Sequence, residues 1–136
     1  MEQNNLISFA NVKASLFDPE VLTLLAPSVY NPTPERLKHR AEEYAADSNV
    51  KAYACKNSEK YIGIVVFVTE NGTTEILDIA VKPEYRKHGI GRKLIDFIFN
   101  RFPVDTIIAE TDDEAVGFYK RYGFAVTPTK EVSDIR

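Results

Sequence analysis

The run Tyr61-Ile62-Gly63-Ile64-Val65-Val66-Phe67-Val68 limits the possible folds most. Apart from Gly63 it is aliphatic or aromatic, with no polar alternation, which fits a strand covered on both faces. Such a strand belongs in the middle of a sheet. Asn71-Gly72 follows, and this dipeptide suits a type I′ turn, whose two central residues both need positive φ. Thr73 to Val81 then forms a strand antiparallel to the first. Val50 to Lys56 adds another ahead of them, through the turn Asn57-Ser58-Glu59-Lys60. A three-strand meander is therefore expected by residue 81.

The segment Val81-Lys82-Pro83-Glu84-Tyr85-Arg86-Lys87-His88-Gly89-Ile90-Gly91-Arg92 joins that meander to a helix predicted from Gly89 to about Phe102. The first backbone amides of a helix lack intrahelical acceptors, and the helix dipole adds positive potential at the same end. Together they make a seat for phosphate. Gly89 and Gly91 allow close backbone approach and positive φ. The spacing Arg86-x-x-Gly89-x-Gly91 lacks the first glycine of the dinucleotide fingerprint and the Gly-Lys-Ser/Thr ending of the nucleotide-triphosphate loop. By itself it reads either as a phosphate seat or as an ordinary connection between strand and helix.

The remaining elements follow from local signals. Leu6 to Lys13 reads as a short strand. Asp18-Pro19-Glu20 and Thr33-Pro34-Glu35 each combine an N-cap with proline at the first helical position, so two helices are expected before residue 50. Ile90, Leu94, Phe97, Ile98 and Phe102 share one face of the helix after the loop, and Pro103 ends it. Asp105 to Glu110 reads as a short buried strand. Thr111-Asp112-Asp113-Glu114 is a capping box opening a helix that stops at Gly123. Phe124 to Thr127 reads as a final strand. The sum is a mixed α/β fold in a single domain, residues 1–136. Its sheet is mostly antiparallel, with one right-handed βαβ unit around the loop and flanking helices.

Composition excludes several classes. A net charge of -3 over 136 residues gives no global bias toward nucleic acid. No apolar run is long enough for a bilayer and no leader is visible, so no membrane association and a cytoplasmic location are expected. The lone Cys55 cannot form an internal disulfide, and with His39 and His88 far apart no metal site is expected.

Three pieces in order resemble the GNAT acetyltransferase superfamily: the strand ending Ile79-Ala80-Val81 with Pro83-Glu84-Tyr85 after it; Arg86-x-x-Gly89-x-Gly91 with its helix; and Ala115-x-x-Phe118-Tyr119-x-x-x-Gly123-Phe124. The clear match covers about residues 60 to 127. The resemblance implies the acyl-coenzyme A N-acyltransferase fold and an enzyme using acetyl-coenzyme A as co-substrate. The acetyl group would pass directly to a primary amine in a ternary complex. The backbone amides of Lys87, His88, Gly89, Ile90, Gly91 and Arg92 would hold the pyrophosphate, with Arg86 adding charge. The alternative for the Arg86 and Arg92 side chains is a solvated basic surface. Backbone groups of Ile79, Ala80 and Val81 would bind the pantetheine arm. Asp112, where the family often has asparagine, and Phe118 complete the coenzyme contacts.

The resemblance makes Tyr119 the general acid for the leaving thiolate; its alternative is a core aromatic packed beside Phe118. For the base, Glu75 ranks first, with Asp78, Glu110 or a water behind it. Simple alternation groups Glu75 with Leu77, Ile79 and Val81, and Asp78 with Ile76 and Ala80. Each carboxylate reads equally as a surface group or cap. The acceptor would be a small-molecule or peptide amine, near Tyr30, Glu35 and Tyr44, and a homodimer is possible. The competing reading of another class is a non-catalytic acyl-coenzyme A-binding or regulatory module on the same fold.

Overall fold

The computed structural model describes residues 6–111 and 115–127. The elements in order are β1 (Ile7–Asn11), α1 (Pro19–Leu24), α2 (Pro34–Ala46), β2 (Val50–Asn57), β3 (Lys60–Glu70), β4 (Thr73–Val81), α3 (Ile90–Arg101), β5 (Thr106–Ala109) and α4 (Val116–Tyr122). Short 3₁₀ turns lie at Lys13–Ser15, Ala26–Ser28 and Pro83–Tyr85. Five strands form one sheet in the order β1-β2-β3-β4-β5. The first four are mutually antiparallel, and β5 lies parallel to β4 as the second strand of the βαβ unit.

β3 is the doubly covered strand its composition predicts: Ile62 to Phe67 are all buried. On one face α1 and α2 bring Val21, Leu24, Leu25, Ala41 and Tyr44 against Ala52, Ile64, Val66 and Ala80. On the other, α3 brings Ile90, Leu94, Ile95 and Ile98 against Ile62, Val65, Phe67 and Ile76. Phe9, Tyr53, Phe97 and Phe102 form a ring cluster at the β1 end of that face, with Phe9 stacked on Phe97 at 4.5 Å. Among the described residues no helix is long and apolar enough to cross a membrane.

The β3–β4 turn has Asn71 at φ 55° and Gly72 at φ 84°, both in the left-handed region as a type I′ turn requires. The Gly72 carbonyl also accepts the amides of Asp105 (2.7 Å) and Thr106 (3.2 Å). One turn therefore closes the central hairpin and fixes the start of β5.

Three local readings are corrected. The strand after α3 is not buried but the edge of the sheet: Ile107 is covered, whereas Ile108 is 49% exposed. Residues 124–127 form no strand. The Phe124 amide bonds the Tyr119 carbonyl and the Gly123 amide bonds that of Lys120, a Schellman cap that spends those donors on α4. At the helix starts, Thr33 caps α2 through the Arg36 amide, but Asp18 makes no side-chain cap on α1. The capping box Thr111–Glu114 and the tail from Pro128 lie partly or wholly outside the described residues.

Replacing Gly72 by alanine forces a Cβ into the left-handed region and to 3.0 Å from Asp105 Oδ2. We expect a loss of about 1–2 kcal/mol, read as a lower urea midpoint at unchanged slope; an unchanged midpoint would show that the turn is not the constraint described.

Candidate active site

The site begins with an irregularity in β4. Val66 pairs with Asp78 and Phe67 with Ile76, so Leu77 is an extra residue without a partner on β3. This β-bulge breaks the two-residue alternation. Ile76, Ile79 and Val81 pack on the α3 side, while Leu77 and Ala80 pack on the α1/α2 side. Residues directly opposite in an antiparallel pair share a face. Glu75 faces Val68 and Asp78 faces Val66, and both valines belong to the α1/α2 side. The grouping by simple alternation is therefore corrected: Glu75 and Asp78 share one face, and Glu75 does not lie with Ile79 and Val81.

β5 pairs with β4 only from Thr73↔Thr106 to Ile76↔Ala109. From Asp78 to Val81, β4 keeps its partner β3 but has none in β5, and the bulged Leu77 is paired with neither. The strands part at the bulge, leaving the β5-facing edge of Ile79, Ala80 and Val81 without a strand partner. The gap leads to the loop before α3.

In that loop the 3₁₀ turn Pro83–Tyr85 spends the Tyr85 and Arg86 amides on Lys82 O and Pro83 O. Lys87 (φ 67°) and Gly89 (φ 80°) then both enter the left-handed region. Such alternation turns successive amides into one concavity, a nest for anions. The amide of Lys93 bonds Gly89 O at 3.0 Å. Those of Ile90, Gly91 and Arg92 have no backbone acceptor among the described residues. A Cβ at Gly89 would meet nothing within 4 Å, so the seat is open. These features fit a diphosphate held by amides. Gly91 is different: it has no positive φ, and a Cβ there would sit 2.9 Å from the Phe118 ring. Its bareness lets α4 approach α3.

The basic side chains turn toward protein. Arg86 Nε donates to Val81 O at 3.1 Å, closing the loop on the strand end. Arg92 donates to Arg121 O at 3.0 Å, with its guanidinium 4.6 Å from the Tyr122 ring centre. Tyr122 in turn donates to Asp96 at 2.6 Å. These contacts bind α4 to α3, so the helix carrying Phe118 and Tyr119 is set by the helix that heads the loop.

Tyr119 is buried, its ring edge-on to Phe118 (5.1 Å) and Phe124 (5.0 Å). Burial, and then the charge of Asp78, push its pKa up. The phenol is thus protonated at neutral pH. The ring packs as a core aromatic, and the hydroxyl lies within the field of a carboxylate on β4.

Asp78, 6% exposed, accepts from Arg40 Nη1 at 2.8 Å and forms a short hydrogen bond with the Tyr44 hydroxyl, both from α2. Burial and the Asp78 carboxylate push the Tyr44 phenol well above its ordinary range. Arg40 also lines a cleft of about 350 Å³ on this face. Val29 and Tyr30 form one wall, with Glu35, Arg36, Arg40 and Glu43 of α2 along the other. Of the expected acceptor-side residues, Tyr30 and Glu35 line the cleft, and Tyr44 does not line it but bonds Asp78. Glu110 lies beyond the last residue of β5, and Asp112 lies outside the described residues. The residues missed from sequence are Arg40, and Asp78 in its role as the buried end of an ion pair; the helical spacing of Arg40 and Tyr44 was the available signal.

Cys55 is fully buried, and burial pushes its thiol up to about 11 from 9.0. A neutral thiol there is no nucleophile. Because its pKa is raised on folding, its contribution to stability is full below pH 9 and is lost as pH rises toward 11. We expect stability to fall over that window and Cys55→Ala to flatten the slope; an equal slope in the variant would contradict the burial.

A family profile described as the acetyltransferase (GNAT) domain matches residues 48–126. Peptidyl-lysine N-acetyltransferase YjaB of Escherichia coli K12 is 39% identical over 56 residues, 40% of this chain and 38% of that protein. Its Salmonella typhimurium LT2 counterpart is 31% identical over 83 residues, 60% and 54% of the two chains. The matches thus span about half or less of those relatives. A possible acetyltransferase from Clostridium difficile 630 shares the fold, with TM-score 0.70 and 18% identity over 90% of this chain and 93% of its own. So does the aminoglycoside acetyltransferase AAC(6')-Iy in complex with a bisubstrate analogue, CoA-S-monomethyl-acetylneamine, with TM-score 0.65 and 14% identity over 90% and 92%. The family profile spans more than half of the sequence, from the approach to β2 through α4, and the chain belongs to the GNAT acetyltransferase family.

Proposed function

We propose that this protein transfers the acetyl group of acetyl-coenzyme A to a primary amine by direct attack. The observation that carries the reading is the parting of β4 from β5 at the bulge, next to helix-start amides without backbone acceptors. An arm bonded to the free edge of Ile79, Ala80 and Val81 would run from those amides toward Tyr119. Bound acetyl-coenzyme A would supply the activated acyl carbon and a thiolate leaving group.

The chain's own residues then divide the work. The amides of Lys87 to Arg92 bind the diphosphate, and the loop closure by Arg86 holds them in place. Backbone donors of β4 face the thioester oxygen, where oriented dipoles are usually a large catalytic contribution. The amine arrives from the α1/α2 face, which Glu75 shares. Glu75, directly or through water, takes its proton. Attack forms the amide C–N bond and breaks the C–S bond, and Tyr119 returns a proton to the sulfur. The raised pKa of Tyr119 keeps that proton available at neutral pH. Asp78 is the weaker candidate for the base because Arg40 and Tyr44 already occupy it. The names of the relatives, a peptidyl-lysine acetyltransferase and an aminoglycoside acetyltransferase, support an amine acceptor.

Two variants test the roles. Tyr119→Phe should lower kcat by roughly 10²–10⁴-fold while coenzyme A affinity stays unchanged, because the ring packing survives. Unaltered thiol release would remove Tyr119 as the acid. Glu75→Gln should lower kcat while coenzyme A affinity stays unchanged, and turnover identical to wild type would assign the proton elsewhere. Coenzyme A binding without thiol release from any primary amine would favour the non-catalytic acyl-coenzyme A-binding module.

A further inference from the structure

Asp78 is the only charged side chain among the described residues that is buried, and no step of the transfer uses it. It follows the bulged Leu77 directly, where β5 has left β4. Its partners Arg40 and Tyr44 come from one helix, four residues apart, and so project from the same side of α2. Arg40 also lines the cleft between α2 and Val29 and Tyr30, and Asp78 shares its face of β4 with Glu75. One guanidinium therefore belongs both to the cleft wall and to the ion pair with Asp78 on β4.

We propose that Asp78, clamped by Arg40 and Tyr44, is a positioning residue for the acceptor: it fixes the cleft wall on α2 to the bulge of β4 and so sets the distance between a bound amine and Glu75. This rests on the acetyltransferase reading. A buried carboxylate tolerates little movement of its counter-ion, because separation leaves a charge in a dry site. The loop before α3 and the α3–α4 contacts hold the diphosphate seat without Asp78, so coenzyme affinity should not follow the clamp, whereas kcat is expected to change as well because the Asp78 charge acts on Tyr119.

The test uses the full chain, with thiol release from acetyl-coenzyme A measured against a panel of primary amines: a lysine-containing peptide, spermidine and neamine. Asp78→Asn loosens the clamp, and Arg40→Gln with Asp78→Asn removes both charges together, so no unpaired ion is buried. In either variant the acceptor KM should rise by about tenfold to a hundredfold, while calorimetry gives an unchanged Kd for coenzyme A. Arg40→Lys, which keeps a cation, should recover part of the loss. An unchanged acceptor KM, or coenzyme and acceptor affinities falling together in step with the urea midpoint, would overturn the proposal. Wild-type protein that binds no coenzyme A would sink the acetyltransferase reading, and the clamp's role with it.

Discussion

One extra residue in one strand organises the site. Up to Ile76, β4 runs between β3 and β5 with both edges bonded. At Leu77 the register shifts where β5 departs, and the four residues Asp78 to Val81 keep partners on one side only. Backbone amides and carbonyls are costly to leave unpaired in a covered site. An open edge within a well-packed sheet is thus a place where a ligand replaces a strand. The bulge also rotates the side chains, bringing Glu75 and Asp78 to one face. The unpaired edge and the shared face of Glu75 and Asp78 meet at the same insertion.

The rest of the fold fixes what surrounds that opening. The Asn71-Gly72 turn sets where β5 begins, because Gly72 O takes the amides of Asp105 and Thr106. Gly91 sets how near α4 comes, because Phe118 fills the space of its absent Cβ. Arg92, Asp96, Arg121 and Tyr122 then hold the two helices together. α2 answers from the opposite face through Arg40 and Tyr44 on Asp78. Three small constraints, on a turn, a bare helix position and an ion pair, fix the start of β5, the approach of α4 to α3 and the hold of α2 on β4.

Much of this is legible in the sequence, for local reasons. The hairpin follows from Asn71-Gly72, the central strand from its apolar run, and the amide seat from glycine spacing ahead of a helix. The bulge is not legible: Ile76-Leu77-Asp78 carries no glycine or proline to mark it, so alternation put Glu75 on the face of Ile79 and away from Asp78, whereas Asp78 does lie opposite Ile79 as alternation had it. The final strand failed because Gly123 signals a Schellman cap, and that cap consumes the Phe124 amide. β5 looked buried because Ile107-Ile108-Ala109 is apolar, yet an edge strand covers one side chain and exposes the next. The clamp joins residues 38 positions apart, beyond any local pattern.

The central claim is that orphan amides at the start of α3 grip a diphosphate beside an unpaired strand edge. Parallel calorimetric titrations with coenzyme A and with pantetheine, the same thiol arm without the diphosphate, test it most directly. Hydrogen bonds to a charged group contribute about 1.5–3 kcal/mol each, so the account predicts that coenzyme A binds at least about tenfold more tightly. Equal affinity for the two, or no heat with either, would contradict it.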